Sequence, residues 1–466
     1  MLSSLPKQIS SKAIVTYFVS LAVVSVVFNR YAIGWQFMLL GVIEVVTFFM
    51  FSTICSQRWR ALSKKTFISK LFWTAFLLRI VWVVFSFFFY KSLTGVPYEP
   101  GAADSMGYHA TAEWLKSRSW SFVFSYLFGG AAVSDSGYAL YLTTFYKLFG
   151  TGLFLPRIVK ALLSAITCVL VYKVAARSID ENTGRLAGVF CLFAPNLIIY
   201  CGLHLKETEM IFLSVAFLER SDYLLRTRNY NLWTIFLPLL LAVSLFLFRT
   251  VLGAVAVFSL LTGLLFTSTR IVGKLKKVFV MFWMILGIAY FAGGTIATEV
   301  EGYLSERTEN QASKRYEQTR GGNLWAKYAT GAVMAPMIFV LPFSTMVNVD
   351  DQYNQQIIHG GNFVRNFMGF FVILALIFAL FINKDWRNMS LVGSYVIGYL
   401  GVISMSGFAN SERFLLPALP ALIVLWAYGV SVLNKKSFRY FKYWIAIVFL
   451  MQVAWAYFKL GSRGLF

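Results

Sequence analysis

Residues 71–91 read LFWTAFLLRIVWVVFSFFFYK, with Arg79 the only charge before the closing Lys91. A bilayer core takes about 20 consecutive apolar residues per helix, and this stretch has that length and composition. Working outward from it, similar runs recur at 13–29, 36–55, 156–176, 186–202, 209–225, 232–249, 251–269, 278–297, 363–383, 389–407, 414–433 and 443–459, each bounded by charged or turn-forming residues. Thirteen such runs of about 20 residues fill over half the chain. The composition agrees: of 466 residues, 58% are hydrophobic and 18% aromatic, while 13% are charged. An ordinary soluble domain is about a quarter charged, so a soluble globular protein is excluded. The sequence predicts an all-α polytopic membrane protein with about 13 transmembrane helices.

Lysine and arginine exceed aspartate and glutamate by 22. In a soluble chain such a surplus points to nucleic acid; in one this apolar it sets topology, and no nucleic-acid partner is expected. Basic clusters fill 58–70 (Arg58, Arg60, Lys64, Lys65, Lys70), 270–277 (Arg270, Lys274, Lys276, Lys277) and 435–442 (Lys435, Lys436, Arg439, Lys442). Put these on the cytoplasmic side, and alternation brings Arg177/Arg185, Arg226/Arg228, Lys384/Arg387 and the N-terminus with Lys7 and Lys12 to the same side. The C-terminus then falls outside, against the mild pull of Lys459 and Arg463. No small-residue cleavage site follows the first run, which is predicted to stay as an anchor. Cys55, Cys168, Cys191 and Cys201 form no CxxC or zinc-ligand pattern.

Two outward loops are long, about 91–155 and 298–362, and loops of that size tend to carry function. In the first, Ser105–Ser117 has helical spacing, with Tyr108, Ala112 and Leu115 on one face, and Tyr138–Phe149 reads as an aromatic helix lying in the interface. In the second, the polar stretch Glu299–Lys327 gives way to apolar Tyr328–Val347, which contains Pro336 and Pro342 and reads as an interfacial or re-entrant helix. The chain divides into a two-helix hairpin (1–70), a membrane core (71–297) with its outer loop at 92–155, a second outer loop (298–362) and C-terminal spans (363–466). No internal repeat is visible.

Charges near membrane depth are costly and tend to be functional or paired. The outward side collects Asp104 in GAADSMGYH (101–109), Lys206, Glu207 and Glu209 in HLKETE (204–209), Arg249, Arg413, and all three histidines, His109, His204 and His359. A carboxylate there can take a proton from an attacking hydroxyl, and arginine or lysine can hold a phosphate. Each residue also has a structural reading. Asp104 can cap a helix starting at Ser105, Glu207 and Glu209 can form a solvated turn, and Arg249 and Arg413 can snorkel. A divalent metal on His109 and Glu207, with Asp104 or His204, is the one cofactor left open. Glu44 and Arg79, each mid-run, read first as an ion pair across an antiparallel hairpin.

Four stretches carry a resemblance: Asp104–Leu115 (DSMGYHATAEWL), Gly137–Gly150 (GYALYLTTFYKLFG) followed by Arg157, 194–210 from Ala-Pro-Asn to Leu-Lys-Glu-Thr-Glu-Met, and Ser411–Pro420 (SERFLLPALP). In order and outward placement they resemble the C-type (GT-C) membrane glycosyltransferases, in the bacterial branch similar to protein O-mannosyltransferases and lipid A aminoarabinose transferases. The likeness runs from about Leu71 onward. It departs where the family has Lys before Gly, here Arg249-Thr250, and where it has Tyr-Pro, here Tyr138-Ala139. The resemblance implies transfer of a sugar from a polyprenyl-phosphate donor to a hydroxyl of a lipid, glycan or protein acceptor, with inversion at the anomeric carbon. It would make Asp104 the general base and Glu207 a positioner of acceptor or metal. Lys206, Arg249 and Arg413 would bind the donor phosphate, and Tyr108, His109, His204 and Tyr138 would be auxiliary. The setting would be a bacterial plasma membrane, with the site facing the periplasm or exterior and the lipid tail between spans.

Two other functions fit parts of the sequence. A polysaccharide polymerase or ligase would use Arg307, Lys314, Arg315 and Arg320 on a diphosphate-linked glycan. A secondary transporter is disfavoured by the scarcity of midplane charge and the absence of repeated halves.

Overall fold

The structure is a computed structural model that describes residues 2–129, 136–227, 231–267, 337–349, 353–405, 411–462 and 464–465. Its described residues are helical apart from turns, short extended segments and one antiparallel bridge between Ala32 and Val347. Helices occupy all twelve of the predicted runs that fall within them. Eight are long and apolar enough to cross a membrane: Lys7–Val27, Trp35–Arg58, Lys64–Thr94, Phe154–Ser178, Thr250–Thr267, His359–Ile382, Glu412–Ser431 and Lys435–Gly461. The described chain is therefore helical, with several helices of the length and apolarity of a multi-pass membrane protein.

The remaining four helical runs fall short for local reasons. Residues 181–202 bend by 54° at Ala194-Pro195, which separates Glu181–Phe193 from Pro195–Gly202. The Glu207–Arg226 helix carries Glu207, Glu209, Glu219, Arg220, Asp222 and Arg226, and Leu232–Phe248 and Ser390–Met405 are shorter. The run at 278–297, the basic cluster 270–277, Arg228, the polar stretch Glu299–Lys327 with the arginines and lysine at 307–320, and residues 328–336 lie outside the described residues.

Helix starts follow ordinary capping chemistry. The Ser63 hydroxyl accepts from Thr66 N at 3.2 Å, Asp180 from Thr183 N at 2.9 Å and Asn434 from Ser437 N at 2.8 Å. The loop segments sort into two groups by contact. At one end Leu5 N reaches Ser56 Oγ, Arg185 donates to the carbonyls of Trp59, Arg60 and Leu62, and Arg177 and Arg226 both pair with Asp222. At the other, Asn348 N donates to Tyr31 O and Tyr31 Oη to Leu465 O.

One continuous core runs from Leu5 to Leu460. The hairpin of residues 1–70 is part of it: Tyr17 Oη lies 2.8 Å from His359 Nε2, and Phe48 packs on Phe190 and Trp426.

Two expectations are corrected. Glu44 and Arg79 do not pair. The Arg79 guanidinium donates to the carbonyls of Cys191 and Leu192 at 3.2 and 3.3 Å and to Ser164 Oγ at 2.6 Å. Those carbonyls end the Glu181–Phe193 helix, where Pro195 lacks the N–H that would continue the ladder from Cys191, so the arginine takes over its role. Glu44 instead accepts from Gly361 N at 2.6 Å, capping the His359–Ile377 helix. Past the 3-10 residue Met337, the described part of the apolar stretch before Val347 is also not helical. From a short turn at Met337 it runs without helix through 343–349, buried except at Asn348, with Arg365 and Asn366 donating to the carbonyls of Ile338, Val340 and Pro342. Irregular backbone at depth needs such side-chain partners.

Candidate functional site

The first long loop folds into three helices, Ala103–Lys116, Trp120–Phe128 and Ser136–Phe149. Two were expected. The middle one was missed, although Ser119, whose side chain accepts from Phe122 N, is a standard start signal before its aromatic run. Gly101, at φ +69°, makes the left-handed turn that aims the chain into the first of these helices. Asp104 therefore sits in that helix's first turn, after the cap position at Ala102 rather than as the cap itself.

Asp104 meets its partner across more than 300 residues of sequence. Arg413, in the first turn of the Glu412–Leu415 helix, donates through Nη1 to Asp104 Oδ2 and through Nε to Glu207 Oε1. The two carboxylates differ in setting. The Asp104 side chain is 59% exposed, whereas that of Glu207, the first residue of its helix, is 0% exposed and leaves Oε2 buried without a hydrogen-bond partner among the described residues. Arg413 thus joins a surface carboxylate to a buried one.

Two more cations stand close enough for their charges to act on Glu207, Arg249 and Lys206. Arg249, between the Leu232–Phe248 and Thr250–Thr267 helices, donates to Tyr399 Oη at 3.0 Å and lies over the Phe414 ring at 4.5 Å. Lys206 Nζ donates to Phe248 O at 3.2 Å. Burial, reinforced by the Arg249 charge, draws the Lys206 ammonium down to about 7, against the pull of Glu207.

Two of the auxiliary candidates, His109 and His204, are joined through Tyr146. His109 Nδ1 lies 2.8 Å from Tyr146 Oη, which lies 3.2 Å from His204 Nε2. Burial lowers the pKa of both histidines, and for His204 the Lys160 charge adds to it. Tyr138 is buried against Tyr108, with ring centroids 4.9 Å apart, and Lys160 stands over its ring. Lys160 pairs with Glu209 at 3.5 Å and donates to Leu203 O at 2.9 Å. Lys160 was missed by sequence reasoning, although a cation inside the 156–176 run, which also holds Arg157 and Lys173, is the kind of signal that singled out Glu44 and Arg79. His359 lies apart, bound to Tyr17 and to Gln356 O. Asp104, His109, His204 and Glu207 are not assembled as metal ligands: among the described residues no group of three or more His, Cys, Asp or Glu is arranged to hold an ion.

A cavity of about 290 Å3 opens beside Asp104 and Arg413. Tyr90, Glu99, Tyr200, Gln355 and Glu412 are among the residues that line it. No protein-family model matches the chain, and no curated protein matches it. A half-exposed carboxylate fixed by a guanidinium, at the mouth of a small-molecule-sized cavity beside two further cations, is equipped to accept a proton and to stabilise an anion.

Proposed function

We propose that the chain is a membrane glycosyltransferase, similar in plan to the GT-C enzymes. It moves a sugar from a polyprenyl-phosphate donor to an acceptor hydroxyl on the outward face of a bacterial plasma membrane, which it crosses about thirteen times. The observation that carries this reading is Arg413, which ties Asp104 to the buried Glu207 at the cavity mouth.

In the transfer, Asp104 takes the proton of the acceptor hydroxyl while that oxygen attacks the anomeric carbon. The bond from that carbon to the phosphate oxygen breaks, the electron pair leaves with the phosphate, and configuration inverts. Lys206 and Arg249 hold the departing phosphate. Arg413 is engaged by its two carboxylates, so its role here is to orient Asp104, and Glu207 anchors Arg413 in turn. The lipid tail of the donor lies against the apolar helices.

Mass spectrometry of envelope glycans and lipids from a deletion strain, complemented with wild type or Asp104→Asn, tests the proposal. Loss of a single sugar that only wild type restores supports it. Collapse of a whole glycan ladder would assign the protein to polymerisation instead.

A further inference from the structure

Two carboxylates in the cavity have no part in the transfer step. Glu99, in the turn before the Ala103–Lys116 helix, is 4% exposed, and its Oε1 accepts from Ser105 Oγ. Glu412, beside Arg413, is 5% exposed, and its Oε1 accepts from Tyr200 Oη at 3.4 Å. Both line the cavity. In each the second oxygen, Oε2, is buried and has no hydrogen-bond partner among the described residues. Tyr200 lies within electrostatic reach of both.

Buried acceptors are rarely left unmet, and these two belong to one lined space. Arg157 acts on Glu99, and Lys459, Arg365 and Arg413 act on Glu412; of these four cations only Arg413 is among the lining residues. Arg413 does line the cavity, but its Nε and Nη1 are engaged by Glu207 and Asp104. The charged groups that the cavity presents are therefore mostly carboxylates, Asp104, Glu99 and Glu412 against Arg413, with hydroxyls on Tyr90, Tyr200 and Ser411 and amides on Asn354 and Gln355. Its volume, about 290 Å3, lies at the small end of ligand sites, sized for one sugar ring rather than an oligosaccharide.

We infer that this cavity is the sugar subsite, and that Glu99 and Glu412 select a ring presenting N–H or O–H donors and bearing no carboxylate. The inference rests on the transferase reading for the word sugar; the preference for a donor-rich, non-anionic group follows from the cavity alone. An anionic ring would set its own carboxylate against buried acceptors, the kind of mismatch that gives strong rejection.

The test uses the full chain in lipid nanodiscs, with methyl glucoside, methyl glucosaminide and methyl glucuronide as soluble probes and ligand-observed NMR as the readout. The glucoside and glucosaminide are expected to bind, with the glucuronide at least about tenfold weaker. Glu99→Gln and Glu412→Gln, each shown to be folded by its melting profile, are expected to narrow that gap at least about threefold. Equal or tighter glucuronide binding by wild type, no binding of any probe, or an unchanged gap in both folded variants overturns the assignment. Transfer from a polyprenyl-phosphate sugar is measured separately on the same samples. The expected binding order without transfer removes the transferase reading and leaves the selectivity standing; transfer with the wrong order removes the selectivity alone.

Discussion

Replacing Arg413 with methionine removes the side chain shared by Asp104 and Glu207 while keeping much of its apolar stem. The cost is unequal at the two ends. Glu207 is fully buried, and breaking a buried pair by deleting one partner costs about 3–5 kcal/mol. Lys206 and Arg249 still act on Glu207, which brings the figure to the lower part of that range, about 3 kcal/mol. The Asp104 side chain is 59% exposed, so its share is about 0–1 kcal/mol. Arg413→Met is therefore expected to destabilise strongly and Asp104→Asn barely. Adding Glu207→Gln to Arg413→Met should recover much of the loss, because the charge left without its partner is then gone. Reversible unfolding of the purified protein in mixed micelles, followed by tryptophan fluorescence, measures all four proteins. If the double variant is less stable than Arg413→Met, or if Asp104→Asn costs as much as Arg413→Met, the guanidinium does not bridge a buried and an exposed carboxylate.

Lys206 gives a pH signature. Its ammonium form, which an anionic headgroup needs, is present below about 7 and lost as pH rises through that value, so polyprenyl-phosphate binding should weaken from pH 6 to pH 8.5 in a lipid-overlay or nanodisc titration, and Lys206→Arg should flatten the profile. Helix glycines usually gain from alanine, yet a Cβ at Gly360 would lie 2.6 Å from both Glu44 Oε2 and Gly41 O, so Gly360→Ala should cost about 1–3 kcal/mol while Gly393→Ala, with open space around it, should be neutral or better. Exchanging the charges at Glu44 and Arg79 should not restore a protein damaged by either single change, because they have different partners; recovery of folded yield in the exchange would show that they do pair.

The sequence made the helices legible because apolar length is a local property, and each of the twelve runs within the described residues is helical. It also made the candidate residues countable, since so few charges occur: Asp104, Glu207 and Arg413 were picked from three distant segments and lie in contact. What stayed hidden was which group each one meets. Arg413 read as a phosphate ligand and proves to hold two carboxylates, a fact no spacing rule contains. Arg79 read as the partner of Glu44, but Pro195, more than a hundred residues away, frees the carbonyl that it uses. Non-helical backbone at 343–349 was unreadable for a similar reason, since the asparagine and arginine that satisfy the preceding turn lie in the helix beginning at His359.

The central claim concerns a proton taken by Asp104 during sugar transfer. Purified wild type and Asp104→Asn, reconstituted in liposomes with a polyprenyl-phosphate sugar and an envelope lipid extract as acceptor, can be compared by mass spectrometric detection of freed polyprenyl phosphate and glycosylated product. Wild type is expected to generate both, with Asp104→Asn slower by at least about 100-fold at an unchanged melting temperature. Equal product from the two proteins would contradict the account.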